Sequence, residues 1–324
     1  LEGQAYDLRN LGVNQARQKQ YAKARQTLKK ALKLSQQLGS EYNELQSIYA
    51  LAELSEAMGN QKSIGLYERA VVAARKLWNR EVLWRSLYGV GRSHQKRGSK
   101  SKALEYYQKA IAIAEQLGHQ RAAADSPFSR TQLYGDCLHL LAEMKKQDEI
   151  FEYSERAKAR GLVDTLIGSP LEPMDSRAKN MLLAEKRERR LLRSLERTQD
   201  LKAIESQREK YKVVLSNFLK AYPQLARTQV IAPTTLEALQ ATLPSKTVVL
   251  NYIVSGSFNA IMLISSETTK TIPISFKADI LQKQVLDLIF RMSSFAPVND
   301  LMDTLAKLLV EPIAPHLESY RNLV

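Results

Sequence analysis

The chain has 324 residues, 44% of them hydrophobic, and 48 Lys and Arg against 34 Asp and Glu give it a formal charge of +14. At about 150 residues per domain this predicts two folded domains and excludes a disordered chain. The single cysteine, Cys137, excludes an intramolecular disulfide framework or a multi-cysteine metal site and fits a reducing, cytoplasmic setting; no stretch is apolar enough for a membrane span.

From the N-terminus the pattern is a helical repeat. Tyr21, Ala24, Leu28 and Ala31 are echoed by Ser63, Tyr67 and Ala70 and by Ala103, Tyr107 and Ala110. The steps from Ala31 to Ala70 and from Ala70 to Ala110 are nearly equal, at about 40 residues each, a period within the range of helical repeat arrays. Ile150, Ser154 and Ala157 end a fourth copy after a longer connection through Ser126 and Pro127. In each copy these positions lie on one face of a second helix. The preceding first helix carries Leu8, Leu11 and Gly12 in the first copy and Leu87, Val90 and Gly91 in the third. A mid-helix glycine costs about 1 kcal/mol against alanine, so its recurrence in one register implies a neighbouring helix too close for a side chain. Gly59-Asn60 and Gly98-Ser99 mark turns between paired helices, and Lys19-Gln20 stands there in the first copy.

These residues resemble the tetratricopeptide repeat, stretched from its usual length to about 40 residues, over Ala5 to Lys158. The resemblance implies a stacked right-handed solenoid whose concave face is lined by the first helices. On that alignment the face presents Tyr6, Arg9, Asn10, Val13 and Arg17 from the first copy, Tyr49, Glu53 and Glu56 from the second, and Arg85, Tyr88, Arg92 and Lys96 from the third. Asn10 and the arginines resemble the clamp with which some family members hold a peptide carboxylate, since Asn and Arg bond both oxygens of an acid. The expected partner is therefore a protein or an acidic or extended peptide in the groove, with solvated surface charge as the plain alternative for any single residue.

The solenoid is expected to span residues 1–168 and to run into a basic helical hairpin over 169–229. Between Ser176 and Tyr222 basic residues are about twice as frequent as acidic ones, and Leu201, Ile204, Tyr211, Leu215, Phe218 and Tyr222 form a helical stripe interrupted by Arg208. Two long helices folding near Thr198 to Asp200 are predicted. Lys186, Arg187, Arg189, Arg190, Arg193 and Arg197 make a basic patch, either a contact for RNA or an acidic partner or the wet face of a helix supported by pairs such as Glu185 with Arg189.

From Val230 β-branched residues and Pro or Gly punctuation take over, and residues 230–324 read as a small α/β segment. A short helix is predicted over Thr235 to Thr242, capped by Thr234 with Glu237 three positions on. Strands follow over Thr247 to Val254 and Phe258 to Ser265, joined through Ser255-Gly256-Ser257, and over Lys270 to Ser275. They are apolar on both sides, so both faces of the sheet should be covered. Helices are predicted over Asp279 to Ser293 and Asn299 to Pro312, the last stopped by Pro312 and Pro315.

The run Glu155 to Leu166, followed by Gly168-Ser169-Pro170, resembles the junction where tetratricopeptide repeats enter a CHAT domain, the caspase-like module related to separases. Leu243-Pro244, the strand Val248 to Tyr252, and Leu308-Leu309-Val310-Glu311-Pro312-Ile313 follow in the order of that family. The resemblance implies an incomplete caspase-like segment, reaching the first residues of the next strand at Val324 and stopping before the His and Cys of a protease dyad. A longer parent would then be a cysteine peptidase controlled by its repeats.

Within this chain no catalytic residue, cofactor or metal is expected. Cys137 and His139 are two apart on a helix and point to different faces, and Cys137 holds a packing position where a small buried hydrophobe belongs. His94, His119 and His316 lack zinc spacing, and Asp148-Glu149 and Glu53 with Glu56 read as helix surface. The positive charge meets no paired RNA-recognition aromatics, zinc-finger spacing or Gly-rich phosphate loop. The reading is a mostly α binding scaffold; the rivals are a stand-alone adaptor and an RNA-binding scaffold whose affinity would fall steeply with salt. A sheet with an unpartnered edge predicts self-association through the α/β part.

Overall fold

The computed structural model describes residues 2–117, 130–168, 201–221, 235–255, 257–276 and 278–324, with scattered helical positions from 177 to 195. The chain divides into two compact units, Leu1–Arg121 with Leu162–Ile231, and Ala122–Gly161 with Ala232–Val324.

In the first unit three helix pairs follow one another: α1 (Glu2–Arg17) with α2 (Tyr21–Gln37), α3 (Glu41–Ala57) with α4 (Ser63–Lys76), and α5 (Arg80–Lys96) with α6 (Lys100–Gln116). Each helix packs on its successor, and α1 also meets α3, as α3 meets α5. This is tetratricopeptide-type stacking, and the small residues of the repeat explain it. Ala24, Leu28 and Ala31 of α2, Tyr67 and Ala70 of α4, and Ala103, Tyr107 and Ala110 of α6 are all fully buried. The mid-helix glycines mark the crossings. A Cβ on Gly12 would stand 2.6 Å from the Leu28 side chain, and one on Gly91 would stand 2.6 Å from the Tyr107 ring and 3.2 Å from the Ala103 carbonyl.

The turns within and between pairs each use one left-handed residue, the usual end of an α-helix. Gly39, Gly59 and Gly98 adopt it without penalty, whereas Lys19 (φ 61°) and Trp78 (φ 52°) adopt it with a side chain attached. At the start of α5 the Asn79 side chain accepts a hydrogen bond from the Val82 N–H at 3.0 Å. The same unit contains α9 (Leu201–Ala221). Gln207 of α9, only 4% exposed, donates to the Glu188 carboxylate at 2.6 Å, so a helical position well before it in the chain lies against α9. That pairing agrees with a hairpin, whose bend at 198–200 lies outside the described residues.

The second unit begins with α7 (Arg130–Glu143) and the part of α8 (Gln147–Gly168) up to Gly161, the two helices being joined through left-handed Lys145. It continues with α10 (Leu236–Thr242), β1 (Thr247–Val254), β2 (Asn259–Ile264), β3 (Thr269–Pro273), α11 (Ala278–Ser293), α12 (Asn299–Leu309), a 3-10 turn at Ala314–His316, and β4 (Asn322–Leu323). The sheet order is β3-β2-β1-β4, antiparallel except for β1 with β4. The cap of α10 is Thr235, whose hydroxyl accepts from the Ala238 N–H at 3.1 Å, and not Thr234. Glu237 is then one position too early for a capping box. The last long helix stops at Leu309, short of Pro312, because a proline excludes the residue before it from helical geometry.

Both faces of the sheet are covered, as strands apolar on both sides require. Val248, Ile261 and Leu263 pack with Ile274 and Ile313, bordered by Leu250, Tyr252, Leu317 and Tyr320. On the opposite face Asn251 bonds Ser154 and Glu155 of α8 at 3.4 and 3.3 Å and also meets Lys158. The β1–β2 turn lies against α7: a Cβ on Gly135 would meet the hydroxyls of Ser255 and Ser257 at 2.5 Å, and His139 stacks on Phe258 at 5.7 Å. The fourth helix pair is thus the support of the sheet. Leu286, Ile289, Phe290, Met292 and Phe295, on α11 and just beyond it, stand 58–97% exposed.

Candidate functional site

The first-helix residues of the repeat stack separate into two groups with different chemistry. On α1, Tyr6 is 49% exposed and the Arg9 guanidinium lies 4.6 Å over its ring. Arg9 also donates to the Asn10 side-chain oxygen, at 2.9 Å from Nη2 and 3.3 Å from Nε. Arg17, in the last turn, is exposed, while Val13 packs into the core beneath with Ala24 and Leu28. Tyrosine, arginine and asparagine one helical turn apart therefore form one accessible cluster.

In the second and third copies the corresponding face is closed. Glu56 at the end of α3 is the centre of a network drawn from three helices. It accepts from Tyr67 Oη of α4 at 2.7 Å, from Arg92 Nη2 of α5 at 2.5 Å and from Lys96 Nζ at 3.1 Å. Arg92 also lies 4.4 Å over the Tyr88 ring and 3.5 Å from Tyr67 Oη. One turn earlier on α3, Tyr49 donates to Glu53 Oε1 at 2.6 Å, with its ring 6.2 Å from that of Tyr67. Burial works against the charge of Arg92, but Glu56, helped by Tyr67, Tyr88 and Tyr49, outweighs it and raises the pKa. Burial, followed by the carboxylates, pushes the Tyr49 and Tyr67 phenols well above their ordinary value.

This corrects the expected groove. Tyr88 is fully buried and Tyr49 and Arg92 are 6% and 8% exposed, so these three hold the repeats together instead of lining a surface. Glu53 and Glu56 are likewise network members and not exposed helix surface. The cause is Tyr67, which reaches from α4 across the face of α5. Its ring fills the place where a Cβ on Gly89 would stand 2.5 Å away. Gly89, two positions before the repeat's own glycine, is the sequence signal for this closure. Lys96 keeps 62% of its side chain exposed while sharing Glu56. Arg85 is paired with Glu81 at 2.7 Å and lies 5.5 Å over Trp84, whose indole N–H donates to the same carboxylate at 3.0 Å.

Of the basic patch, Arg187 is exposed; Lys186, Arg189, Arg190, Arg193 and Arg197 lie outside the described residues. Cys137 is fully buried in α7, and burial raises its thiol far above the ordinary range, while His139 is turned to Phe258. His94 stacks on Tyr106 at 5.6 Å. Among the described residues no three His, Cys, Asp or Glu side chains are grouped to hold a metal ion, and no helix is long and apolar enough to cross a membrane.

No protein-family model matches the chain, and no curated protein matches it. Solved structures similar to it include a Rap protein complexed with competence and sporulation factor (14% identity, TM-score 0.43), where the match covers 68% of this chain and 65% of that one. A Podosopora anserina putative kinesin light chain with nearly identical TPR-like repeats follows at 19% identity and TM-score 0.41, over 67% of this chain and 97% of that one. Aspartyl phosphate phosphatase F from Bacillus subtilis matches at 15% identity and TM-score 0.45, over 66% and 60%. The chain therefore spans less than two thirds of the Rap protein and of the phosphatase. At these scores the likeness carries no functional weight, and the repeat architecture stands on α1 to α6 themselves: the chain is a stack of tetratricopeptide-type helix pairs joined to a four-stranded α/β unit.

Proposed function

We propose that this chain is a protein-interaction scaffold that takes an acidic, extended peptide on the first-helix face of its repeats, anchored at Tyr6, Arg9, Asn10 and Arg17. The carrying observation is the state of Arg9. Its guanidinium is held by the Tyr6 ring and the Asn10 amide oxygen, yet no carboxylate pairs with it among the described residues. A pre-positioned guanidinium with donors to spare is suited to a peptide carboxylate. Arg92 and Lys96 are paired with Glu56 and Arg85 with Glu81, so the anchor for a peptide carboxylate is Arg9.

The test is fluorescence anisotropy with labelled acidic and neutral peptides, using the full chain and an Arg9→Ala, Asn10→Ala, Arg17→Ala variant. The acidic peptide should bind more tightly, and the variant should weaken it by about tenfold to a hundredfold, the loss of one or two charge-assisted contacts. Equal binding of both peptides, or an unchanged affinity in the variant, would remove the groove from consideration.

The α/β unit is proposed as the front of a CHAT-like, caspase-related module in a longer cysteine peptidase, with the repeats as its receptor for signal or substrate. Support comes from the order α10, β1, β2, β3, α11 and α12, and from a strand, β4, following the Leu308 to Ile313 phrase. Self-association through this unit belongs to the same proposal and is supported by the exposed Leu286, Ile289 and Phe290 of α11. Light scattering at high protein concentration should give a mass above one chain and return to the monomer with Phe290→Glu and Leu286→Glu. A monomer at all concentrations would count against it.

A further inference from the structure

We infer that the α/β unit carries a binding site for a small anion, with Lys270 of β3 and His316 of the 3-10 turn as its anchors. A cavity of about 320 Å³ lies between the β2–β3 turn and the C-terminal segment, lined by Leu263, Thr268, Lys270, His316, Ser319 and Tyr320, with Pro315 and Glu318 on the same wall. Its volume suits a small phosphate or carboxylate compound. Lys270 stands opposite Leu263 in the strand register, so its side chain is on the face of the sheet that this cavity borders.

The placement of the two basic groups is the informative feature. Lys270 Nζ lies 3.4 Å from both ring nitrogens of His316. At these equal distances the ammonium is shared between the two ring nitrogens and is not committed to either one alone. No carboxylate forms an ion pair with Lys270 or His316 among the described residues. The Lys270 ammonium beside the His316 imidazole and the Ser319 hydroxyl, with no carboxylate in ion-pair range of either among the described residues, forms an anion-binding arrangement in which the ammonium is the charge-assisted donor. Glu318 opposes a bare dianion and favours a ligand that also carries a hydroxyl or ammonium donor.

An edge-strand lysine also discourages strand pairing whatever it binds, so the test reads ligand occupancy and not solubility. The chain has four histidines, and 13C-ring-labelled histidine gives four resolved signals, with that of His316 assigned by its loss in His316→Gln. Inorganic phosphate, acetate and serine phosphate are titrated into the full chain at constant ionic strength. The His316 signal should move and saturate at a ligand concentration on the order of 1 mM, and Lys270→Met should weaken the half-saturation about tenfold. Saturation by the phosphates alone would identify a phosphorylated ligand, and saturation by acetate a carboxylate. A linear, non-saturating shift with all three probes, or saturation unchanged by Lys270→Met, would overturn the site.

Discussion

Replacing Glu56 with alanine is expected to destabilise the repeat stack by about 3–5 kcal/mol, the loss seen when one member of a buried ion pair is removed. Glu56 and Arg92 are each one-tenth exposed at the side chain, so the arginine left behind keeps its charge without its counter-ion. Tyr67 loses its 2.7 Å acceptor at the same time. The measurement is the urea midpoint of the first cooperative transition. The double replacement Glu56→Met, Arg92→Met should recover much of the loss, because a well-packed apolar pair needs no desolvation of charge. If Glu56→Ala alone shifts the midpoint by less than a surface substitution, the network is not holding α3, α4 and α5 together.

Glu53, one turn away, behaves in the opposite sense. Burial raises its pKa above the ordinary 4.5, against the lowering effects of the Tyr49 hydroxyl, Arg85 and Arg92. The folded chain therefore holds the Glu53 proton more tightly than the unfolded chain. The stabilising contribution is complete below the unfolded carboxylate value and is lost as pH rises through the folded one. Glu53→Gln, which keeps an acceptor for Tyr49, should accordingly be more stable than the parent at pH 7, with the difference closing near pH 4. An equal difference at both pH values would refute this.

The second large effect concerns the glycines. Gly89→Ala and Gly91→Ala should each destabilise by about 1–3 kcal/mol, although alanine favours the helix by about 1 kcal/mol. The added Cβ would stand 2.5 Å from the Tyr67 ring in the first case and 2.6 Å from the Tyr107 ring in the second. Neither ring has room to retreat: both tyrosines are fully buried, and their hydroxyls are tied to Glu56 and to Gln95. Gly65 of α4 is the contrast, with nothing within 4 Å of its added Cβ, and Gly65→Ala should stabilise by about 0.5–1 kcal/mol. Thermal unfolding of the three variants side by side checks the sign; a stabilised Gly89→Ala or Gly91→Ala would mean that the helix crossings are looser than described.

Whatever depends on local periodicity is legible in the chain before it folds. The evenly spaced helix pairs, the close crossings at Gly12 and Gly91, and the run of three strands followed by two helices belong to this class. Helical and strand periods, and the lack of a side chain at a glycine, are properties of the chain alone. Strand ends moved by two positions at most, and the cap of α10 moved from Thr234 to Thr235, since adjacent threonines offer the backbone equivalent oxygens. Which polar residues meet is settled only when the helices and strands pack. Glu56, Tyr67 and Arg92 come from three successive helices, and no periodicity in one helix announces a partner in another. The same holds for Asn251 with Ser154 and for Lys270 with His316. Arg9 and Arg92 are alike in the sequence, each a few positions beyond a tyrosine on a first helix. One remains accessible and the other is enclosed, because Tyr67 of the preceding helix pair covers Arg92, whereas Arg9 rests on Tyr6 and Asn10 of its own helix.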